Sequence, residues 1–231
     1  MSGDRHSVAE EQELITDPDE KARQEAENGL RQFDLAIIII REHVQDRERP
    51  FRLRPHYLLR LNAEALQGIH RMAGAFRNSP VKIGGSKHVP PESFMVPEEV
   101  EGLCRYVNDN WEKREGIHLS AYVLWKLNWI HPFADGNGRT SRAASYIVLC
   151  TRLDGLLPGS PTIPEQIADD KKPYYEALEA ADDALEKTGE VDVSALEEML
   201  HAMLAKQLLS VFPPAAQAVA EAQKGGGSAS S

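Results

Sequence analysis

The sequence has little cysteine, no long apolar run and no excess of positive charge, and each of these shortages narrows the possible class of protein. Only two of its 231 residues are cysteines, Cys104 and Cys150, and they match no metal-ligand spacing, so two reduced thiols in a cytosolic protein are expected. The longest apolar run, residues 35–40, is far too short to span a membrane. The formal net charge of −10 argues against nucleic acid or an anionic membrane surface as a partner, because both need a basic face. The polar N-terminus shows no apolar signal region, so we expect a cytoplasmic location.

The pattern of apolar residues predicts a mainly α-helical protein with one small β-hairpin. Helical spacing recurs along most of the chain, at residues 17–44, 58–72, 96–114, 119–130, 139–153, 172–187 and 193–212. Asp17-Pro18 is typical of a helix start, and Asn28-Gly29 is expected to break or bend the first helix. Val81-Lys82-Ile83 alternates like a strand, and Gly84-Gly85 supplies a turn, which together predict the hairpin at residues 81–88.

A polar loop with two glycines separates two of the helical stretches, at residues 131–142, and reads HPFADGNGRTSR. Gly136 and Gly138 let the backbone bend sharply, so that its N–H groups can converge on an anion. The helix that follows adds the positive end of its dipole. Arg139 and Arg142 share a helix face, and two arginines suit a polyphosphate better than a single phosphate. The loop therefore predicts a polyphosphate-binding site.

Two more residues of this loop fit the chemistry of phosphate transfer. Asp135 offers a hard oxygen ligand that Mg²⁺ could bridge to the phosphates. His131 is a histidine, the side chain whose ordinary pKa suits accepting a proton near neutral pH. Each feature alone is more often structural, as a capped turn or a solvated helix face. Their combination in one loop favours a catalytic site, with Phe133 as a buried anchor.

Residues 131–142 match every fixed position of the Fic family signature, His-Pro-Phe-x-Asp/Glu-Gly-Asn-Gly-Arg-x-x-Arg, and the chain resembles that family from about residue 17 to about residue 200. The resemblance implies an enzyme that transfers AMP from ATP, with Mg²⁺, to a Ser, Thr or Tyr hydroxyl of a protein, which can include the enzyme itself. It implies a general base at His131, a Mg²⁺ ligand at Asp135, orientation of the α-phosphate by Asn137, an anion hole at the backbone of Gly136 and Gly138, and β- and γ-phosphate binding by Arg139 and Arg142.

Composition and the resemblance together divide the chain into four parts. Residues 1–16 are a flexible N-terminus, and residues 17–55 a helical region with a candidate inhibitory helix. Residues 56–212 are a Fic-like helical core with the C-terminal helices, and residues 213–231 a flexible tail. The hairpin at residues 81–88 is similar to the family's flap, where a target peptide would pair with Val81, Lys82 and Ile83 through backbone hydrogen bonds.

Two further assignments follow from the resemblance. Glu27 resembles the glutamate of the inhibitory helix, which pairs with the second arginine of the signature, here Arg142. The sequence departs from that pattern because Arg23 stands where it has Ser or Thr. Tyr174 or Tyr175 is implied to contact the adenine, with core packing as the alternative.

Other chemistries stay open at this point. Relatives resembling Doc transfer phosphate and have a lysine where Gly138 stands, so Gly138 favours AMP transfer. Removal of AMP from a modified protein would use Glu27 to place water. A non-catalytic nucleotide-binding regulator would not need the base that His131 supplies. The target protein and the oligomeric state are open as well.

Overall fold

The computed structural model describes residues 7–8, 13–46, 48 and 50–212, which are mostly helical, as predicted. The helices are α1 (Pro18–Gln45), α2 (Pro55–Leu66), α3 (Val96–Asp109), α4 (Gly116–Ile130), α5 (Asn137–Arg152), α6 (Ile163–Asp169), α7 (Lys172–Thr188) and α8 (Ser194–Leu209). A short strand, β1 (Ser7–Val8), precedes α1, and a second strand, β2 (Lys82–Ile83), and a turn of 3-10 helix (Ser93–Met95) lie between α2 and α3. The tail predicted at residues 213–231 and most of the N-terminus predicted at residues 1–16 lie outside the described residues.

Helix α1 begins where the sequence predicts but does not break where the sequence suggests. Asp17 Oδ1 accepts a hydrogen bond from the backbone N–H of Glu20 at 2.8 Å. The predicted break at Asn28-Gly29 is wrong, because α1 continues unbroken to its end, and the alternative of a bend stays a prediction. Asn28 is fully buried and donates its side-chain N–H to the carbonyl of Gln67 at 2.8 Å, just beyond the end of α2. This bond satisfies a carbonyl at the end of a neighbouring helix and offsets the low helix propensity of the pair.

Helices α4 and α5 form the centre of the molecule. At their crossing, the Oγ atoms of Ser120 and Ser145 lie 2.7 Å apart, and each hydroxyl also donates to the other's backbone carbonyl. Such small side chains allow two helices to approach closely. Helices α1 and α2 pack on α5, while α7 and α8 pack on α4. The loop that joins α4 to α5 is therefore supported on both sides by packed helices.

The composition predicts two reduced cysteines and no membrane-spanning segment. Cys104 and Cys150 are free and buried, and burial raises their thiol pKa to about 12 and about 11, so both thiols stay protonated at neutral pH. Among the helices of the described ranges, none is both long and apolar enough to cross a membrane.

The predicted hairpin is only half present. Strand β2 lies where the sequence predicts it, but no return strand follows it among residues 84–97, all of which are described. Its partner is β1, which pairs with it antiparallel, with Ser7 opposite Ile83 and Val8 opposite Lys82. The sequence pattern located the strand correctly and missed its partner, because strand pairing over this separation leaves no local signal.

Candidate active site

The structure places His131 at the junction between α4 and the loop. It caps the C-terminus of α4 in the left-handed conformation, with φ 50° and ψ 59°. Only 5% of its surface is exposed to solvent. A residue with a side chain in this conformation costs about 1–3 kcal/mol, and such strain is concentrated at functional sites. His131 Nδ1 lies 3.3 Å from the backbone carbonyl of Asn128. With the ring proton on Nδ1, this contact leaves the lone pair on Nε2, as a general base requires.

Asn128 is fixed by side chains from two other helices, and the sequence did not single it out. Its side-chain N–H groups lie 2.9 Å from Ser141 Oγ and 2.7 Å from the Tyr174 hydroxyl. Tyr174 is 1% exposed and belongs to the apolar core. For Tyr174 the structure therefore favours core packing over adenine contact. Tyr175 is only partly buried, and its contact with adenine stays a prediction.

Arg77 connects the segment that contains β2 to the loop, and no pattern in the sequence indicates this role. It is 3% exposed, and its Nε donates to the carbonyl of His131 at 2.8 Å, while its backbone N–H donates to Pro132 O at 2.9 Å. The same guanidinium donates to the carbonyls of Ser79 and Pro91, which closes the base of segment 77–91. Burial lowers the pKa of Arg77 from its usual value. The carbonyls at the C-terminus of α4 compensate the charge through the helix dipole.

Gly136 provides the turn into α5 for two physical reasons. Its φ of 75° is left-handed, and a Cβ atom there would lie 3.0 Å from the side-chain nitrogen of Asn62. Asn62 is fully buried and donates to the carbonyl of Asp135 at 3.0 Å, so α2 supports the loop from below. With glycine as its cap residue, α5 has no side-chain cap at its N-terminus. Its first turn therefore presents amides toward the loop, in the arrangement that binds anions.

Asn137 shapes the loop from its other end. Its Oδ1 accepts from the N–H of Phe133 at 2.9 Å, and its Nδ2 donates to the carbonyl of the same residue at 2.8 Å. Phe133 is 1% exposed, as expected for an anchor of the loop. The role of Asn137 at an α-phosphate stays a prediction, and its observed contacts are with the loop backbone.

Arg139 lies between two carboxylates from different elements. Its Nη2 is 3.3 Å from Asp135 Oδ2, and its Nη1 is 3.5 Å from Glu25 Oε1 on α1. The same guanidinium donates to the carbonyl of Ala65 at 3.3 Å. Asp135 also accepts from the N–H of Gly136 at 2.6 Å. A polyphosphate that binds Arg139 has to compete with Glu25 and Asp135 for the same donors.

The structure contradicts the predicted contact of Glu27 with Arg142. The Glu27 side chain is 65% exposed and pairs with Arg31 at 3.3 Å, one turn further along α1. Because residues two apart on a helix point about 200° away from each other, only one of Glu25 and Glu27 can face the loop. The buried Asn28 belongs to the same stripe of α1 as Glu25, and this fixes the rotation of the helix.

The second arginine of the loop lies beside the second glycine. A Cβ atom on Gly138 would lie 3.2 Å from Arg142 Nη1, so glycine at this position leaves room for the guanidinium. Both arginines are on the first turns of α5, as their spacing predicts.

The predicted flap residues divide into two buried side chains and one exposed one. Val81 and Ile83 are each 6% exposed, and Lys82 is exposed. Their backbone lies on segment 77–91, which Arg77 connects to His131. His88 is also close to α4, with its Nε2 2.8 Å from the carbonyl of Trp129. The structure thus brings the predicted flap and the predicted base into one region.

The fold and loop together define a helical protein with a glycine turn and a histidine at the junction of its two central helices. Residues 52–149 match the model of the Fic/DOC family, and this match supports a Fic family protein. It is 34% identical to the protein adenylyltransferase Fic of Drosophila persimilis over 113 residues, which are 48% of this chain and 20% of that protein. It is 35% identical over 115 residues to the enzyme of the same name from Nematostella vectensis, covering 47% of this chain and 24% of that protein.

A solved structure of a Fic-domain signalling protein from Bacteroides thetaiotaomicron has the same fold, with a TM-score of 0.62 and 20% identity, and the match covers 78% of this chain and 70% of that one. The chain spans about a fifth of the length of the Drosophila relative.

Proposed function

We propose that this chain is a protein adenylyltransferase, which transfers AMP from ATP to a hydroxyl side chain of a protein. The observation that carries the proposal is the placement of His131 on the loop that opens α5. The base, the uncapped first turn of α5 and the two arginines lie within one short segment whose backbone is fixed by Arg77 and Asn62. Relatives named protein adenylyltransferase Fic support the same activity.

In the proposed reaction the target hydroxyl approaches His131 and the α-phosphate together. Nε2 of His131 accepts the proton while the hydroxyl oxygen attacks the α-phosphorus. The bond from the α-phosphorus to the bridging oxygen of the β-phosphate breaks, and pyrophosphate leaves. The amides of α5 with Arg139 and Arg142 stabilise the phosphate charge, so catalysis is mainly positioning and electrostatics.

The residues present fit a Mg²⁺ ion that arrives with the nucleotide. Among the described residues no group of three or more His, Cys, Asp or Glu side chains could hold a metal alone. Mg²⁺ commonly uses one or two carboxylates together with substrate phosphates, and Asp135 offers a partly exposed carboxylate at the loop. A bound ion would supply charge neutralisation at the phosphates. The role of Asp135 is then to anchor it.

We further propose that α1 restrains nucleotide binding through Glu25. Its carboxylate is the one from α1 that reaches a loop arginine, at 3.5 Å from Arg139. An incoming phosphate needs the same guanidinium, so Glu25 and nucleotide compete. This replaces the predicted restraint by Glu27 with a neighbour on the opposite face of the helix.

Labelled ATP tests the proposed activity directly. The chain is incubated with Mg²⁺ and ATP labelled at the α- or the γ-phosphate, and protein-bound label is measured on the chain itself and on added proteins. AMP transfer predicts bound label from the α-phosphate alone. Label from the γ-phosphate alone would indicate phosphate transfer and overturn the proposal. Release of AMP from a pre-modified protein, with no forward transfer, would indicate the reverse reaction.

A further inference from the structure

The segment that contains β2 is fixed to the backbone of the candidate base. Arg77 donates to the His131 carbonyl and closes segment 77–91 through Pro91, while His88 lies against the carbonyl of Trp129. Two points of this segment thus contact the last residues of α4 and the start of the loop. A polypeptide that pairs with β2 is consequently positioned relative to His131.

The chain's own N-terminal segment occupies an edge of β2. Strand β1 pairs with β2 antiparallel, with Ser7 opposite Ile83 and Val8 opposite Lys82. Further along, Glu13 forms an antiparallel bridge with His70, and the N–H of Leu14 donates to Ile69 O at 2.7 Å. Residues 7–8 and 13–14, which precede α1, therefore pair with two backbone segments in succession.

Backbone pairing of this kind depends little on the identity of the side chains. Here the paired strands are only two residues long. A two-residue strand has few ladder bonds, so a longer extended segment from another protein can displace it. Because β1 is tethered to α1, its effective concentration at β2 is in the millimolar range typical of short linkers, at about 1 mM. A free peptide therefore competes with a weak partner that is always nearby.

We propose that residues 7–8 are an intramolecular occupant of the β2 edge and compete there with an extended segment of the target protein. The inference rests on the proposed function only for the identity of the competitor as a substrate. Occupation of the edge itself is a property of the fold and can be measured without transfer.

The first experiment measures whether β1 covers β2 in solution. Amide hydrogen exchange at Lys82 and Ile83 is compared in the full chain and in the double variant Ser7→Pro/Val8→Pro. Adjacent residues of an antiparallel pair alternate in hydrogen bonding, so proline at both positions removes whichever amide donates. The matched control is Ser7→Ala/Val8→Ala, which keeps both amides. We expect faster exchange in the proline variant and wild-type exchange in the alanine control. Equal exchange in all three proteins overturns the proposal.

The second experiment measures competition. A fluorescent peptide with the sequence of residues 1–16 is titrated against the same three full-length proteins, followed by α-labelled ATP to record transfer into the peptide. We expect about tenfold tighter binding to the proline variant, which corresponds to an edge open in roughly a tenth of wild-type molecules. Equal affinity for wild type and the proline variant overturns the proposal. Absence of label in the peptide, in the chain and in added proteins contradicts the proposed function alone, since the binding arm still decides the question of occupancy.

Discussion

Among single residues, His131 has one proposed role, in which its imidazole accepts a proton from the target hydroxyl. Replacing His131 by alanine should lower the rate of transfer by about 10²–10⁴-fold, the usual contribution of a general base. Nucleotide affinity should remain near wild type, because the phosphate-binding groups are on α5. Incorporation of α-label and calorimetric titration with ATP separate the two effects. A wild-type rate in this variant would remove His131 from the reaction.

Asp135 contributes both a backbone contact and the proposed metal contact, and one substitution separates them. Asp135→Asn keeps an oxygen that can accept from the N–H of Gly136, now 2.6 Å away, but removes the negative charge. We expect the loop to stay folded while Mg²⁺ no longer improves ATP binding, since hard divalent cations prefer carboxylate oxygens. ATP titrations with Mg²⁺ and with excess chelator measure this difference. If Mg²⁺ improves affinity as much as in wild type, Asp135 is not the metal anchor.

Arg77 contacts the candidate site through backbone carbonyls. Arg77→Ala leaves several buried carbonyls without a donor, including those of His131 and Pro91, and should lower the free energy of unfolding by about 3 kcal/mol or more. Chemical denaturation measures that loss, and the transfer rate should fall with it. The control is Arg71→Ala, at an exposed arginine of the same region, which should change stability by less than about 0.5 kcal/mol. Similar effects of the two substitutions would show that the Arg77 contacts are dispensable.

Among the elements, α1 carries Glu25 and Glu27 on opposite faces of the helix. Glu25→Gln should strengthen ATP binding by up to about fivefold, because partly exposed ion pairs contribute about 0.2–1 kcal/mol. Glu27→Gln is the matched control and should change nothing at the site, since Glu27 pairs with Arg31 in solvent. In the background of Arg139→Ala, Glu25→Gln should lose its effect, as expected for residues in direct contact. A larger gain from Glu27→Gln would reverse the assignment.

This element also shows what the sequence could predict and what it could not. The loop was predictable because its groups lie in one contiguous segment, where spacing alone places two arginines on one helix face. The choice between Glu25 and Glu27 depends on the rotation of α1, which is set by the buried Asn28 and its bond to Gln67. A polar residue at a core position looks like a helix breaker in the sequence, and its partner is far along the chain. Arg77 is likewise far in sequence from the carbonyl of His131, and β1 is far in sequence from β2.

At the scale of the whole molecule, the candidate site is a meeting point of helices that are distant in sequence. Helix α1 supplies Glu25, α2 supplies Asn62 and the carbonyl of Ala65, and α7 supplies Tyr174, all around the junction of α4 and α5. A ligand bound at the loop therefore contacts groups whose positions depend on all five helices. Binding of such a ligand therefore raises the free energy of unfolding of the entire fold.

This coupling yields a measurement that does not depend on catalysis. At a concentration of Mg²⁺ and ATP about 100 times the dissociation constant, binding should add about 2.7 kcal/mol to the free energy of unfolding. For a chain of this size the melting temperature should rise by about 5–10 °C. His131→Ala should show the same rise, because the base does not contribute to nucleotide affinity. Arg139→Ala should show a smaller one, and a tenfold weaker affinity at the same ATP concentration would reduce it to about half.

Thermal denaturation followed by circular dichroism records all three proteins, with ADP and with Mg²⁺ alone as ligand controls. An equal rise in Arg139→Ala and wild type would place nucleotide away from α5, and the assignment of the loop as the polyphosphate site would then be wrong whatever chemistry the protein performs.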